Sequence, residues 1–357
     1  MKPDKALLLL EDGTAFEGIP FGAQGEAMGE AVFYTGVVGY QEVLTDPSYR
    51  GTLVTLTYPI IGSYGVNAED NESPCAQARG VVVRDYSTCV SNFRATGTLE
   101  DFLAERGVVG IRDIDTRAVA VHLRDHGEMR GLIASGEPDR GPLLEKLKAA
   151  PSPFGTDLVE ELPAEPSCPA AGAGKHRVVA LHLGIKRSLL AQLVQLGCSV
   201  DILPATASAK DVLARKAGGV LLPGGPGDPR ALGYVVETAR ALLGKLPILG
   251  VGLGHQLLAL ALGCAVKRMK VGHHGVNYPV RCLDDKRCDI TAQHHSFVVD
   301  DAAIPAGVEV THRNVNDQTV EGIRSRERQA RGVQFHPSPD EMGKPSKILG
   351  RFLEGEK

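Results

Sequence analysis

One segment, residues 247–258, constrains the fold of this chain more than any other. An apolar strand candidate, Ile248–Val251, runs directly into the turn Gly252-Leu253-Gly254, and an apolar helix candidate follows. Glycines at alternate positions let a strand and a helix approach closely. This layout is typical of a nucleophile elbow, in which the middle residue of the turn is lifted out and the next backbone N–H points to a developing oxyanion. On spacing alone, a plain glycine-rich βα turn fits equally well.

The residues around this segment, 176–357, alternate between strand and helix patterns. Val178–Leu181, Val200–Leu203 and Gly219–Leu222 are short apolar runs typical of buried strands. Ile185–Leu196 has the apolar face of an amphipathic helix. The alternation predicts a doubly wound, mostly parallel α/β sheet with helices on both faces. Such sheets bind ligands beyond the carboxyl ends of their strands.

The earlier part of the chain, residues 1–150, predicts a mixed α+β domain. Leu7–Glu11 and Thr14–Gly18 flank Asp12-Gly13, a dipeptide typical of tight hairpins. A short helix with a capping pair at its start is predicted over Thr98–Arg106.

Between the two parts, residues 151–175 contain several prolines and a run of alanine and glycine. This composition is typical of a linker without packed elements. The sequence therefore predicts a domain over 1–150, a linker over 151–175 and a second domain over 176–357.

Composition excludes several classes of function. A net charge of -4 does not predict a broad basic surface for nucleic acid. No apolar run is long enough for a membrane span, and the N-terminus lacks the pattern of a signal peptide. The seven cysteines are odd in number and include no CxxC pair, which favours free thiols in a reducing cytoplasm.

Several motifs carry a resemblance to known families. Residues 250–256 (GVGLGHQ) resemble the nucleophile motif of class I glutamine amidotransferases, 222–229 (LPGGPGDP) the oxyanion and substrate loop, and 332–337 (GVQFHP) the segment with the catalytic histidine. In the first domain, 39–49 and 113–117 are similar to the small subunits of carbamoyl-phosphate synthetases. This last resemblance covers nearly the whole chain.

The resemblance implies acyl-transfer chemistry. A cysteine thiolate attacks the amide carbon of glutamine, a histidine transfers the proton, and ammonia leaves. The ammonia passes to a large partner subunit, which forms carbamoyl phosphate from bicarbonate and ATP. The resemblance therefore places ATP and the divalent metal on the partner, and it implies no cofactor in this chain. It does not decide whether the product serves arginine or pyrimidine synthesis.

Three positions in the implied catalytic set are decisive. Gly252 stands where the family has the cysteine nucleophile, whereas His336 matches the catalytic base. Ser338 stands where the family has the glutamate that orients the histidine, and a serine cannot stabilise an imidazolium by charge. We therefore expect the chain to belong to a ligase complex while lacking glutaminase activity of its own.

The implied glutamine-binding set also departs from the family. His294 stands where the family usually has asparagine, and Ser296 where it commonly has glycine. The added bulk of His294 predicts weak binding of glutamine, and Lys186 matches a supporting position. The substrate-binding residues expected from the resemblance are Ser48, Gly225, Gly227, Leu253, Gln256, His294, Ser296 and Phe297.

Two further observations limit the alternatives. Cys264 lies twelve residues after Gly252 along a predicted helix, roughly 18 Å away, so we do not expect it to replace the nucleophile. The pairs His273-His274 and His294-His295 point to opposite faces of a strand, so we predict no metal site. A glutamine-hydrolysing subunit, and a binding protein that uses the site for another ligand, remain as alternative functions.

Overall fold

The computed structural model describes residues 5–136, 138–151, 155–163 and 174–355. The chain divides into two compact units. The first unit comprises residues 1–154 and 270–274, and the second comprises 155–269 and 275–357.

The first unit is built on a closed barrel of seven strands in the order β1-β2-β8-β6-β4-β3-β9. The barrel strands are β1 (Lys5–Leu10), β2 (Ala15–Gly22), β3 (Glu26–Tyr34), β4 (Thr52–Leu56), β6 (Gly80–Val82), β8 (Val109–Arg112) and β9 (Met129–Gly136). Two further strands, β5 (Ile60–Ile61) and β7 (Asp85–Tyr86), pair with each other outside the barrel. Its helices are α1 (Tyr40–Thr45), α2 (Leu99–Glu105), α3 (Thr116–His126) and α4 (Arg140–Ala149). The mixed α+β character predicted from the sequence is confirmed, and the closure into a barrel was not predicted.

Two local predictions in this unit are confirmed. β1 and β2 form the antiparallel hairpin, with Ala6 opposite Gly18. The helix predicted from Thr98 is α2, and the hydroxyl of Thr98 accepts a hydrogen bond of 3.1 Å from the backbone N–H of Asp101. The cap satisfies a donor that the first turn of a helix leaves unpaired.

The second unit contains a sheet of nine strands in the order β11-β10-β12-β13-β18-β17-β15-β14-β16. Its strands are β10 (His176–His182), β11 (Cys198–Pro204), β12 (Gly219–Leu222), β13 (Ile248–Val251), β14 (Val266–Cys282), β15 (Cys288–Val299), β16 (Glu309–Asn314), β17 (Val320–Ser325) and β18 (Ala330–Val333). Its helices are α5 (Arg187–Gln195), α6 (Ala209–Ala214), α7 (Gly233–Leu242), α8 (Leu253–Ala261) and α9 (Lys347–Glu354).

Alternate residues of the central strands enter cores on opposite faces of this sheet. Val220 and Leu222 of β12 belong to the core formed with α7 and α8, whereas Leu221 belongs to the core formed with α5 and α9. Because side chains alternate along a strand, helices on both faces are needed to bury them. The doubly wound α/β arrangement is therefore confirmed.

The sheet is less parallel than predicted. Five neighbouring strands run parallel: β11, β10, β12, β13 and β18. The other four strands, β17, β15, β14 and β16, form antiparallel pairs. The sequence between α8 and β18 lacks the intervening helices that parallel connections require, so consecutive strands there pair antiparallel instead.

The domain boundaries differ from the prediction at two places. Within the predicted linker, Val159 and Leu162 are buried in the core of the second unit, and the backbone N–H of Gly155 donates to Asp228 at 3.2 Å. Residues 152–154 and 164–173 of that linker lie outside the described residues. Residues 270–274, within β14, belong to the first unit, where the backbone N–H of Glu128 donates to the carbonyl oxygen of Lys270 at 3.0 Å.

A search of the described residues for a membrane-crossing helix, one long and apolar enough to span the bilayer, finds none.

Candidate active site

The turn between β13 and α8 has the backbone geometry of an elbow. Gly252 adopts φ 54° and ψ -115°, a conformation that places strain on residues with a side chain. Its N–H donates to the carbonyl oxygen of Val333 at 2.9 Å, and its own carbonyl oxygen accepts from the N–H of Gln256 at 3.2 Å. The chain thus leaves the sheet and enters the helix within one residue.

The glycines on either side of Gly252 are required by space. A Cβ at Gly250 would lie 2.5 Å from the carbonyl oxygen of Gly254, and a Cβ at Gly254 would lie 1.9 Å from that of Leu222. Both distances are far below van der Waals contact. The close approach of strand and helix that the sequence predicts is therefore present.

Gly252 itself is not required by space. A Cβ there would lie 3.5 Å from the Cα of Gly224 and 3.8 Å from the carbonyl oxygen of Gln334, which are ordinary contacts. The elbow thus has room for a side chain but presents none. Its backbone has the geometry of an elbow, and glycine places no side chain on it.

His336 follows β18 and lies at the same edge of the sheet. Its backbone N–H donates to the carbonyl oxygen of Ala292 in β15 at 2.9 Å, which fixes its place in the fold. Its ring Nε2 lies 3.3 Å from the hydroxyl oxygen of Ser188, near the start of α5. Sequence reasoning missed Ser188, although its position just after a parallel strand was a signal that it lies at the ligand edge.

Ser338 does not take the place of an orienting acid. Its side chain is exposed, and its hydroxyl donates to the carbonyl oxygen of His336 at 3.5 Å rather than to the imidazole ring. The structure therefore gives His336 a hydroxyl neighbour, Ser188, but brings no carboxylate from position 338 to it.

Gln256 supports the wall of the site from within. It is buried, and its amide nitrogen donates to the carbonyl oxygen of Phe297 at 2.8 Å and to the side-chain oxygen of Gln334 at 3.1 Å. These bonds link α8 to β15 and to the residue that follows β18. These bonds are compatible with a role for Gln256 in holding the residues around the substrate site, rather than in contacting the substrate.

β15 places two predicted substrate residues on one face. His294 and Ser296 are half-buried, whereas the alternate residues His295 and Phe297 are buried. The ring of His295 bonds to the side-chain oxygen of Gln293 at 2.7 Å and to the carbonyl oxygen of Phe297 at 2.9 Å. Both ring nitrogens therefore have oxygen neighbours within the same strand, and these contacts give the buried ring of His295 a structural role.

The loop after β12 carries the predicted oxyanion residues. A Cβ at Gly225 would lie 1.8 Å from the carbonyl oxygen of Leu183, so only glycine fits there. Gly227 has φ 88°, which also favours glycine. Leu253 is buried and begins α8, so its backbone N–H is one of those that the first turn of a helix leaves without an intrahelical partner.

The remaining two predicted positions lie in different units. Lys186 is buried in the second unit and is the N-terminal cap residue of α5. Ser48 lies in the first unit, in the short 3-10 turn Pro47–Tyr49, where its backbone N–H donates to the carboxylate of Asp46 at 2.9 Å.

His255 lies directly behind the elbow in α8 and is fully buried. Burial lowers the pKa of its ring to about 3, with only partial opposition from the backbone of Gly332. A Cβ at Gly332 would lie 2.5 Å from its Nδ1. His255 is therefore a neutral packing residue at physiological pH and not a second base.

The comparisons with known proteins bear on the whole chain. Residues 8–133 match the carbamoyl-phosphate synthase small chain CPSase domain, and residues 178–353 match the class I glutamine amidotransferase family. A carbamoyl phosphate synthase small chain of Syntrophotalea carbinolica is 46% identical over 347 residues, which is 93% of this chain and 92% of that protein. This chain belongs to the carbamoyl phosphate synthase small-chain family.

Other members of this small-chain family give the same result. The small chain of Rhodopirellula baltica is 42% identical over 353 residues, covering 93% of this chain and 91% of that protein. Among solved structures, a glutamine amidotransferase of Thermotoga maritima is similar over 45% of this chain and 75% of that chain, with 22% identity and a TM-score of 0.37.

Proposed function

We propose that this chain is the small subunit of a carbamoyl phosphate synthase in which the small subunit no longer hydrolyses glutamine, so that the complex depends on ammonia. The observation that carries the proposal is Gly252 at the elbow. The elbow keeps its backbone conformation and the room for a side chain, but it has no atom that can attack an amide carbon.

The size of the expected defect follows from triad chemistry. Removing the nucleophile of a catalytic triad lowers turnover on the order of a million-fold in comparable hydrolases. Here His336 has no thiol at position 252 from which to take a proton, and Ser338 offers no charge to stabilise the imidazolium. The two departures act on the same step and support loss of the reaction.

Two other thiols of the second unit, Cys198 and Cys264, are poor substitutes. Cys198 and Cys264 are buried, and burial raises the pKa of each thiol to about 11. Because the thiolate is the nucleophile, a thiol with such a pKa is almost entirely unreactive at neutral pH. Cys264 also lies beyond the far end of α8, the helix that Gly252 begins.

Residual binding of glutamine is proposed to be weak. Gly225, Gly227 and the backbone N–H of Leu253 are the proposed remainder of the oxyanion loop. His294 and Ser296 present side chains on the half-buried face of β15. The imidazole of His294 takes space that a smaller side chain would leave to the ligand.

A large ATP-binding subunit, with its divalent metal, is the proposed partner. The first unit exposes large apolar side chains, including Val38 at 63%, Ile60 at 51% and Phe93 at 97%. Contiguous exposed apolar surface is typical of sites that bind another protein, and we propose that these side chains contribute to such a surface. They favour a subunit of a complex over a small-molecule binding protein that acts alone.

The proposal is tested on the complex reconstituted with its large subunit. Carbamoyl phosphate formation is measured with ammonium and with glutamine as nitrogen donors, at equal ATP and bicarbonate. We expect turnover with ammonium and, with glutamine, only the rate that free ammonia in the glutamine stock explains. Turnover with glutamine that equals turnover with ammonium would refute the proposal.

A further inference from the structure

A cleft lies at the opposite ends of the sheet strands from the elbow. It is formed at the amino ends of β13 and β18, by the turn between β17 and β18 and by the end of α9, all within the second unit. Its volume is about 570 Å³, within the range of roughly 300–1,000 Å³ that small-molecule sites occupy. Its lining residues are Pro247, Ile248, Arg324, Ser325, Arg326, Gln329, Ala330, Arg331, Arg351, Phe352 and Gly355.

The lining combines two kinds of surface. Four arginines contribute positive charge, and among the described residues that line the cleft none is acidic. Pro247, Ile248, Ala330 and the ring of Phe352 form an apolar wall. Guanidinium groups donate paired hydrogen bonds that match phosphate oxygens. An apolar wall with an aromatic ring suits the non-phosphate part of an organic ligand.

One of the arginines is fixed in place from outside the cleft. Arg324 donates to Asp284 at 2.9 Å and to Glu309 at 2.7 Å, and Glu309 also lies 3.7 Å from Arg326. These carboxylates do not line the cleft, so they orient the guanidinium groups without filling the space between them. A preorganised guanidinium loses less conformational freedom when a ligand binds.

The other two arginines lie on different elements, and both line the cleft. Arg331 lies in β18 and Arg351 in α9. The nearby ring of His312 is mostly buried, and its pKa is lowered to about 4, first by burial and then by the charge of Arg331, with a smaller contribution from Arg351. Asp284 and Asp285 oppose this shift but do not overcome it. The positive charge of the cleft comes from its four arginine side chains, with no acidic residue among the described lining.

We propose that this cleft binds a small organic phosphate whose phosphate group contacts Arg331 and Arg351 and whose apolar or aromatic part packs against Phe352. The proposal concerns binding and includes no reaction of the ligand. It does not depend on the state of the elbow, since the two sites lie at opposite ends of β13.

Binding to the full chain is measured by calorimetry at low ionic strength with four probes: adenosine 5′-monophosphate, ribose 5-phosphate, inorganic phosphate and uncharged adenosine. We expect the nucleotide to bind most tightly, the two smaller phosphates more weakly, and adenosine not to bind. Added salt weakens all phosphate binding because it screens the guanidinium charges. Failure of all three phosphates to bind would overturn the proposal, as would adenosine binding as tightly as the nucleotide.

The location is tested with Arg331→Gln and Arg351→Gln. Loss of one charge-assisted contact is expected to weaken nucleotide binding about tenfold or more. Arg215→Gln, at an exposed arginine outside the cleft, is the matched control and is expected to bind as the unmodified chain does. The two substituted arginines lie on different elements. If one variant fails to fold, the other still tests the location of the site. Unchanged affinity in a folded cleft variant would place the phosphate elsewhere and overturn the proposal.

Discussion

At the scale of the residue, Gly252 combines the backbone conformation of an elbow with the lack of a side chain. The backbone at an elbow is strained, with φ 54° here, and the strain normally serves to project a reactive side chain. In this chain the strain is relieved because glycine tolerates the conformation, and the reactive group is missing. With the function proposed above, the site is stable as a turn but is not equipped for attack on an amide.

Gly252→Cys is predicted to restore glutamine hydrolysis only in part. The contacts of a Cβ at 252 are ordinary, so the thiol fits, but Ser338 does not orient His336 and His294 remains in the binding face. Weakening the orienting acid of a triad lowers turnover on the order of 10⁴-fold. Glutamate release is measured for Gly252→Cys, with Gly252→Ala as the control that adds a Cβ without a thiol. Full activity from this one substitution would contradict the roles inferred for positions 294 and 338.

His255 is predicted to make stability depend on pH. The folded ring does not bind a proton until about pH 3, whereas the unfolded ring binds one near its ordinary pKa of 6.5. The unfolded state therefore holds more protons between these values, and the free energy of unfolding falls by about 1.4 kcal/mol for each pH unit below 6.5.

His255→Leu is predicted to remove this slope, because leucine has no group that takes up a proton in the folded or the unfolded state. Urea unfolding at pH 7.5 and 5.5 measures the difference. The unmodified chain is expected to lose roughly 1.4 kcal/mol more than the variant over this interval. Equal losses in the two proteins would show that His255 does not control the dependence.

At the scale of the element, the junction between β13 and α8 explains why three alternate glycine positions differ in their tolerance of a Cβ atom. Gly250 and Gly254 lie where strand and helix backbones meet, whereas a Cβ at Gly252 would make only ordinary van der Waals contacts. The sequence alone could not separate these roles, since spacing fits a plain glycine turn as well as an elbow. The distances to Leu222 and Gly224 now separate them.

Gly254→Ala is predicted to destabilise the second unit by more than about 3 kcal/mol, because its Cβ would meet the carbonyl oxygen of Leu222 at 1.9 Å. Gly252→Ala is predicted to cost only about 1–3 kcal/mol, from backbone strain. Gly233→Ala in α7, where a Cβ meets no atom within 4 Å, is the control and is expected to leave stability unchanged or slightly higher. Urea midpoints measure all three, and equal losses at 254 and 252 would contradict the packing argument.

The elements that the sequence predicted well are those with strong local patterns. The hairpin around Asp12-Gly13, the capped helix α2 and the strand–turn–helix at 252 all depend on residues within a few positions of one another. The antiparallel half of the sheet was missed because its pairing is set by the absence of crossover helices rather than by local composition. The buried part of the predicted linker, around Val159 and Leu162, depends on contacts with a distant core.

The candidate site was predictable to a similar extent. The order of the motifs predicted residues at the carboxyl ends of the strands, and Gly225, Gly252 and His336 follow β12, β13 and β18. The contact between Ser188 and His336 was not predictable, because the two residues are 148 positions apart in sequence. The burial of Gln256 against Phe297 likewise required the folded chain.

At the scale of the whole molecule, we assign binding of the partner to the first unit and a lost reaction to the second. Each unit has cores of its own, and the family relationship spans both. A small chain that has lost its reactive atom contributes to the complex only by binding the partner subunit.

Val38→Asp is therefore predicted to weaken binding to the large partner chain by at least tenfold without lowering the stability of the isolated small chain. A carboxylate placed in an apolar interface loses hydration without gaining a partner. Ile290→Asp, at a position 69% exposed in the second unit, is the matched control and is expected to associate normally. Affinity is measured by titration of the purified proteins, and equal affinity for Val38→Asp and the unmodified chain would exclude this surface.

The most direct test of the central claim is a search for the acyl-enzyme that glutamine hydrolysis requires. The unmodified chain, alone and with its large partner, is incubated with glutamine, quenched in acid and weighed by intact mass spectrometry, while free glutamate is followed in parallel. We predict an unchanged mass and no glutamate above the background of a protein-free sample. A mass increase of one glutamyl group on this chain, with steady release of glutamate, would contradict the loss of the reaction.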